Sequence, residues 1–230
     1  MIKTVLEDIA ANIDKIRSQL PLTVKIIAVS KNKPVEDIMK AYNAGQRNFG
    51  ENRVQELLSK KDSLPQDIQW HLIGHLQTNK VKFIIPFVRL IHSVDSFKLL
   101  LSINNEAEKV SGIVDCLLQF YIAREESKFG FSMEEVTAML ESASFKSMKN
   151  VSLCGIMGMA TFTDNTEIVR NEFKYLKNCF DKLKHDYFQP SEKFTEVSMG
   201  MSGDYNLAVE EGSTMVRIGS LIFGERQQIR

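Results

Sequence analysis

The chain has few cysteines, and none of them are paired by spacing. Cys116, Cys154 and Cys179 form no CxxC motif, and an odd, sparse set excludes a disulfide framework. Cys116 and Cys154 fall in apolar, strand-like runs and read as small core hydrophobes. An excess of either charge is also missing. Lys plus Arg and Asp plus Glu number 29 each, so no overall field gathers nucleic acid or an anionic membrane. No stretch has the length and apolarity of a membrane span. The start, Met1-Ile2-Lys3-Thr4-Val5-Leu6-Glu7-Asp8, meets charge too early for a signal peptide, and a cytoplasmic location is expected. No Pro/Gly/Ser linker, tandem repeat or low-complexity tract divides the chain, which predicts one domain over residues 1–230. There is no GxxxxGK[ST] phosphate loop. Neither Gly200-Met201-Ser202-Gly203 nor Phe49-Gly50-Glu51 makes a dinucleotide fingerprint, which argues against ATP and NAD chemistry.

What remains is an ordinary globular composition, 43% hydrophobic over 230 residues, a length that fits one α/β barrel. Leu6, Ile9, Ile13, Ile16 and Leu20 recur at spacings of three and four, which draws the apolar stripe of an opening helix stopped by Pro21. Docking of that stripe on the body of the protein is favoured over a second copy, so a monomer is expected. Apolar, strand-like runs then alternate with helical ones. Strands are predicted at Val24–Val29, around Asn48 and Phe49, at Gln69–Ile73, Leu90–Ser93, Val114–Ile122, Val151–Met157, Phe194–Ser198 and Met215–Ile218. Helices are predicted over Val35–Ala44 (closed by Gly45), Val54–Lys60 (capped by Asn52), after Thr78, after Ser96, over Ser132–Ala143 and over Asp204–Glu211. A longer one carries Val169, Phe173, Leu176, Phe180, Leu183 and Tyr187 on one face. About eight strands, each followed by helix, is the ordering of an α/β fold closed as a single (β/α)8 TIM-type barrel, here with an extra N-terminal helix.

In Ala28-Val29-Ser30-Lys31-Asn32-Lys33-Pro34 a lysine follows the carboxyl end of a buried strand, and Pro34 stands where a helix begins. Desolvation there disfavours ammonium and makes Lys31 a carbonyl-capturing amine; alternatively its head group snorkels to water. Near the other end, Ser198-Met199-Gly200-Met201-Ser202-Gly203-Asp204 and Val216-Arg217-Ile218-Gly219-Ser220 follow the last two strands. Such loops commonly cradle phosphate with backbone N–H groups and small residues. Arg217, placed in the last strand, needs a partner: either a carboxylate such as Glu51 or Asp204, or an acceptor nitrogen on a bound ring. An amine for an aldehyde, a cradle for phosphate and an arginine for a pyridine nitrogen together describe pyridoxal 5'-phosphate, PLP.

The blocks AVSKNKP, AGQRNFGENRVQE, WHLIGHLQTNK, KFGF, GIMGMA and SMGMSGDYNLAVEEGSTMVRIGSLIFGER resemble, in order and over nearly the whole chain, the YggS-type pyridoxal phosphate homeostasis protein family. The resemblance implies a barrel like the amino-terminal domain of alanine racemase, with PLP held as an aldimine on Lys31. It implies phosphate contacts from Met201, Ser202, Gly219 and Ser220, with Arg217 beside the pyridine nitrogen and Asn52 near the cofactor. Ser220 stands where threonine is usual, His75 where proline is usual, and Phe120-Tyr121 replaces a more polar pair. Lys128 matches a family lysine and could serve as a reserve amine, or be a solvated surface residue.

The function so implied is to hold, buffer and transfer PLP within the cell, with apo PLP-dependent enzymes as receivers and without catalytic turnover. The alternative is a PLP-dependent amino-acid racemase. Arginine cannot readily protonate the ring nitrogen, and Tyr42, Tyr121, Tyr175, Tyr187 and Tyr205 include no obvious opposing base. His71 and His75 are four apart but span a strand end and Gly74, and with no third ligand in view no metal site is expected.

Overall fold

A computed structural model of the protein describes residues 8–123, 129–189 and 191–224. Eight parallel strands close into a barrel in chain order: β1 Lys25–Val29, β2 Asn48–Glu51, β3 Gln69–Leu72, β4 Leu90–Val94, β5 Val114–Gln119, β6 Val151–Met157, β7 Glu196–Met201 and β8 Met215–Ile218. Each strand is buried against helices outside and side chains inside, which is why these segments read as apolar runs rather than alternating ones.

The helix α1 (Ile9–Gln19) precedes the barrel and is capped by Asp8, whose carboxylate accepts from the Ala10 and Ala11 N–H groups. Ile9, Ile13 and Ile16 are buried, and Asn12 donates to the Ile222 carbonyl at 3.1 Å, so the stripe docks on the body of the molecule as expected. Leu6 lies outside the described residues. The surrounding helices are α2 Val35–Asn43, α3 Val54–Lys61, α4 Phe97–Lys109, α5 Met133–Glu141, α6 Ala143–Lys146, α7 Thr166–Tyr187, α8 Tyr205–Glu210 and α9 Ser220–Phe223, with a 3-10 turn over Thr78–Phe83 after β3. No helix among the described residues is long and apolar enough to cross a membrane.

The main core lies between strands and helices. There α7 buries Val169, Phe173, Leu176, Phe180 and Leu183, each contributing about 1.5–3 kcal/mol through removal from water. Inside the barrel a much smaller apolar cluster forms from Ile27, Leu90, Leu117, Met157 and Met215. Ile73 and Cys154 pack against it, and Arg217, Ser198, His92, His71 and Asn48 share the interior with it.

Several boundaries differ from the sequence expectation, among them the end of β5, at Gln119 rather than Ile122. The helix expected over Ser132–Ala143 is two: Ser132 caps α5 in a reciprocal capping box with Glu135, and Ser142 takes an extended conformation and caps α6 in turn. The seventh strand begins at Glu196, because Phe194 leaves the sheet to stack between Phe180 and Phe188, with ring centroids 5.2 and 4.1 Å away. Helix α2 starts at Val35 as expected, with Pro34 as its N-cap.

Candidate functional site

Barrel closure brings the two ends of the sequence together. In β1, Ala28 pairs with Phe49 of β2 and with Ile218 of β8, while Met201 of β7 pairs with Arg217 of β8. The order β7–β8–β1–β2 therefore gathers Met201, Ser202, Arg217, Gly219, Ser220, Lys31 and Asn52 on four adjacent strands, at or just beyond their carboxyl ends.

Lys31 is half-buried in a tight turn. The Ser30 N–H donates to the Gly50 carbonyl at 3.0 Å, continuing the sheet by one residue, and the Lys33 N–H closes the turn on the Ser30 carbonyl at 3.0 Å. Between them Asn32 takes a left-handed φ of 59°, a conformation asparagine tolerates better than most side chains, and its N–H donates to the Glu56 carboxylate. Behind the turn lies a buried ionic cluster. Lys60 Nζ donates to the Ser30 carbonyl and to Glu51 Oε1, both at 2.9 Å, and pairs with Glu56; Ser30 Oγ donates to Glu51 Oε1 at 2.6 Å. Burial pushes the Glu51 carboxyl above the usual range, with Ser30 and Lys60 pulling it back. The cluster fixes the backbone that presents Lys31.

Asn52 does not cap α3, contrary to the sequence expectation. The N-cap is Arg53, with no side-chain bond, because Asn52 is packed instead against the loop after β3. A Cβ on Gly74 would lie 2.5 Å from the Asn52 carbonyl oxygen. The Asn52 Oδ1 atom is buried without a hydrogen-bond partner among the described residues, which leaves an acceptor for a ligand.

On the other side, Asp204 Oδ1 accepts from the Met201 N–H at 2.5 Å and shapes the loop after β7. The Gly219 N–H donates to Ser202 Oγ at 3.3 Å and ties that loop to the one after β8. Met201, Gly203 and Ser220 are exposed, and a Cβ on Gly203 would meet nothing within 4 Å. These are small, open, donor-bearing loops beside the first turn of α9, where backbone N–H groups lack helical partners.

Arg217 is only 4% exposed, yet no carboxylate lies within ion-pair distance among the described residues. Its Nη1 donates to the Ser198 carbonyl (2.8 Å) and Ser198 Oγ (2.7 Å), and its Nη2 to the Gly158 carbonyl (3.0 Å). Neither expected carboxylate takes it: Glu51 is engaged by Ser30 and Lys60, and Asp204 is turned to the Met201 N–H. Burial lowers the guanidinium pKa to about 10, with Asp204 opposing, so it stays cationic at neutral pH.

His71 and His75 part company. His71 faces the barrel interior, bonded to His92 and Asn48, whereas His75 bonds Asp95 at 2.8 Å at the mouth and packs on Phe129. Among the described residues no group of His, Cys, Asp or Glu is arranged to hold a metal. All three cysteines are free, and burial pushes their thiols up, Cys154 to about 11. Lys128 lies outside the described residues. A cavity of about 600 Å³, lined by Lys25, Asn48, His71, Arg89, Asp115 and Glu196, opens at the opposite, N-terminal mouth, away from Lys31.

Sequence reasoning missed Lys60 and His92, and it named Glu51 and Ser198 without the partners they take here, Lys60 and Arg217. The signal for His92 was present: a lone histidine within the apolar run Leu90-Ile91-His92-Ser93-Val94 has to find a polar partner inside.

Comparison with known proteins bears on this arrangement. The family described as Alanine racemase, N-terminal domain, matches residues 5–227. A protein of Aquifex aeolicus named Pyridoxal phosphate homeostasis protein is 40% identical over 204 residues, 88% of this chain and 87% of its own. PipY of Synechococcus elongatus PCC7942, solved with PLP bound, superposes with a TM-score of 0.85 at 36% identity, covering 94% of this chain and 100% of that one. Alanine racemase of Clostridium difficile shares the fold, with a TM-score of 0.78 at 15% identity over 97% of this chain and 61% of its own.

Proposed function

This chain belongs to the pyridoxal phosphate homeostasis proteins of the alanine racemase N-terminal domain family, and from that premise we propose that it is a cytoplasmic, single-domain, monomeric PLP-binding protein that buffers the cofactor and hands it to apo enzymes. The observation that carries this reading is the adjacency of Lys31, Arg217 and the Ser202–Gly219 loop pair across the closing strands β8 and β1. Bound there, PLP supplies an aldehyde, a ring nitrogen and a phosphate dianion. The residues present fit each. Lys31 offers the amine at a half-buried turn, and the loops with Met201, Ser202, Gly219 and Ser220 offer N–H and O–H donors in open space. Arg217 is a cation held in place by neutral acceptors, and the Asn52 Oδ1 acceptor awaits a donor.

Arg217 also argues for holding over turnover. A guanidinium with a pKa of about 10 donates a hydrogen bond but does not surrender its proton to a ring nitrogen, so electron withdrawal through the ring stays weak. The test is the absorbance spectrum of the purified holo-protein before and after borohydride, with peptide mapping of the reduced product to Lys31. Alongside it, the protein is incubated with L-amino acids in deuterated water. Absence of α-proton exchange at turnover rates, with transfer to an apo enzyme faster than free release, supports a carrier. Rapid exchange makes the protein a racemase-type enzyme.

A further inference from the structure

Five polar side chains of the barrel interior form one continuous chain. Arg217 Nη1 meets Ser198 Oγ at 2.7 Å, Ser198 Oγ meets His92 Nδ1 at 2.9 Å, His92 Nε2 meets His71 Nδ1 at 2.9 Å, and His71 Nε2 meets Asn48 Oδ1 at 3.2 Å. Five strands contribute one residue each: β8, β7, β4, β3 and β2. The chain begins at Arg217, level with the ends of β6 and β7, and finishes at Asn48, which lines the N-terminal cavity.

Its direction is dictated by its first member. A guanidinium has only donors, so Ser198 Oγ accepts from Arg217 and gives its own proton to His92 Nδ1. His92 is then protonated at Nε2 alone and donates to His71 Nδ1. His71 is likewise protonated at Nε2 alone and donates to the Asn48 amide oxygen. Every interior nitrogen is satisfied with both rings neutral. Adding a proton to either ring, or reversing either tautomer, sets donor against donor, or strands the Ser198 hydroxyl hydrogen beside the cation. Burial disfavours the charged rings in the same sense, holding His71 down to about 3 and His92 well below its ordinary value. Barrels usually fill this space with Val, Ile and Leu, and replacing buried polar groups by apolar ones is often stabilising. Retention of five polar side chains therefore points to something other than stability.

We propose that Ser198, His92, His71 and Asn48 are positioning residues, a one-way hydrogen-bond chain that fixes the Arg217 guanidinium where it meets the pyridine nitrogen of PLP. The inference rests on the proposed PLP site. Its test has one arm that needs the cofactor and one that does not.

In ligand-free protein, long-range ¹H–¹⁵N correlation of the imidazoles at neutral pH is expected to show His71 and His92 as neutral Nε2–H tautomers, with His92 losing that preference in Ser198→Ala. An Nδ1–H or doubly protonated ring in the wild type overturns the chain. In holo-protein, Ser198→Ala and His92→Gln are expected to raise the PLP dissociation constant about tenfold and to shift the visible absorbance band. Ser198→Thr, which keeps the hydroxyl, should restore both. If Arg217→Met weakens PLP binding while Ser198→Ala and His92→Gln keep wild-type affinity and spectrum, the positioning role is overturned and the PLP site stands. If the wild type binds no PLP, the functional reading fails, and the tautomers still decide whether the chain exists.

Discussion

Lys33 Nζ donates to the Phe223 carbonyl at 2.7 Å, and to that of Gly224 at 3.1 Å, so the second lysine of the turn after β1 closes the carboxyl end of α9. Lys33 is thus engaged apart from the role proposed for Lys31.

This division gives the first prediction. Lys31→Ala should abolish the borohydride-reducible linkage to PLP. Lys33→Ala should retain it and instead lower stability by about 1 kcal/mol through lost bonds to helix-end carbonyls. Mass spectrometry of reduced, digested protein and urea unfolding read the two effects. Labelling that maps to Lys33 would remove Lys31 from the site.

Arg217 is bound to three neutral acceptors rather than to a carboxylate. Arg217→Ala takes the donor from the Gly158 carbonyl and from Ser198 Oγ, while the Ser198 carbonyl keeps the Gly158 N–H, and should cost roughly 2 to 4 kcal/mol in unfolding free energy, with loss of PLP affinity. Arg217→Lys should fold better than the alanine variant and still bind PLP at least tenfold more weakly than wild type, since one ammonium cannot span the fork. Equilibrium dialysis showing unchanged affinity in the lysine variant would sink this account.

The buried imidazoles set an acid limit. The folded state keeps His71 and His92 neutral, while the unfolded chain takes up protons at about 6.5, so the unfolded state binds more protons in between. Stability should therefore be full above pH 6.5 and fall as pH drops toward the folded value of about 3 for His71. The loss should be about 2 kcal/mol per imidazole by pH 5. Glu51 and Asp204, both pushed up by burial, act in the opposite sense, so the imidazole share is read as the difference between wild type and a His71→Gln/His92→Gln variant between pH 5 and 6.5. A difference in urea midpoints that stays flat across that window would contradict neutral burial.

Two glycines of the mouth should respond differently. Gly74→Ala puts a methyl 2.5 Å from the Asn52 carbonyl oxygen and 2.8 Å from its Cα, so Asn52 must shift. We expect a stability loss of about 1 to 3 kcal/mol together with weaker PLP binding. Gly203→Ala meets nothing in the protein and should unfold like wild type, so any fall in PLP affinity there would register the ligand itself. Thermal melts with and without PLP separate the two cases.

Much of this was legible in the chain. The eight strands were legible because cover on both faces keeps most of their residues apolar, and the last two loops because small residues after the final strands leave them open. Even so, Asn52 read as a cap from its place before Val54, and only the packing of Gly74 against its backbone shows why it is not. The start of β7 was misplaced because Phe194 is as apolar as a strand residue, and its stacking partners are set by tertiary structure. The interior chain was illegible for a related reason. His71, His92 and Ser198 lie on three strands, and whether inward side chains meet across a barrel depends on stagger that no local pattern encodes.

Pairing of β1 with β8 also has a consequence for biosynthesis. Lys31 is translated well before Met201, Arg217 and Ser220, so at the site proposed above the amine waits for its facing loops until β8 has been made and has paired with β1. On that reading, capture of the cofactor would report that the ring has closed.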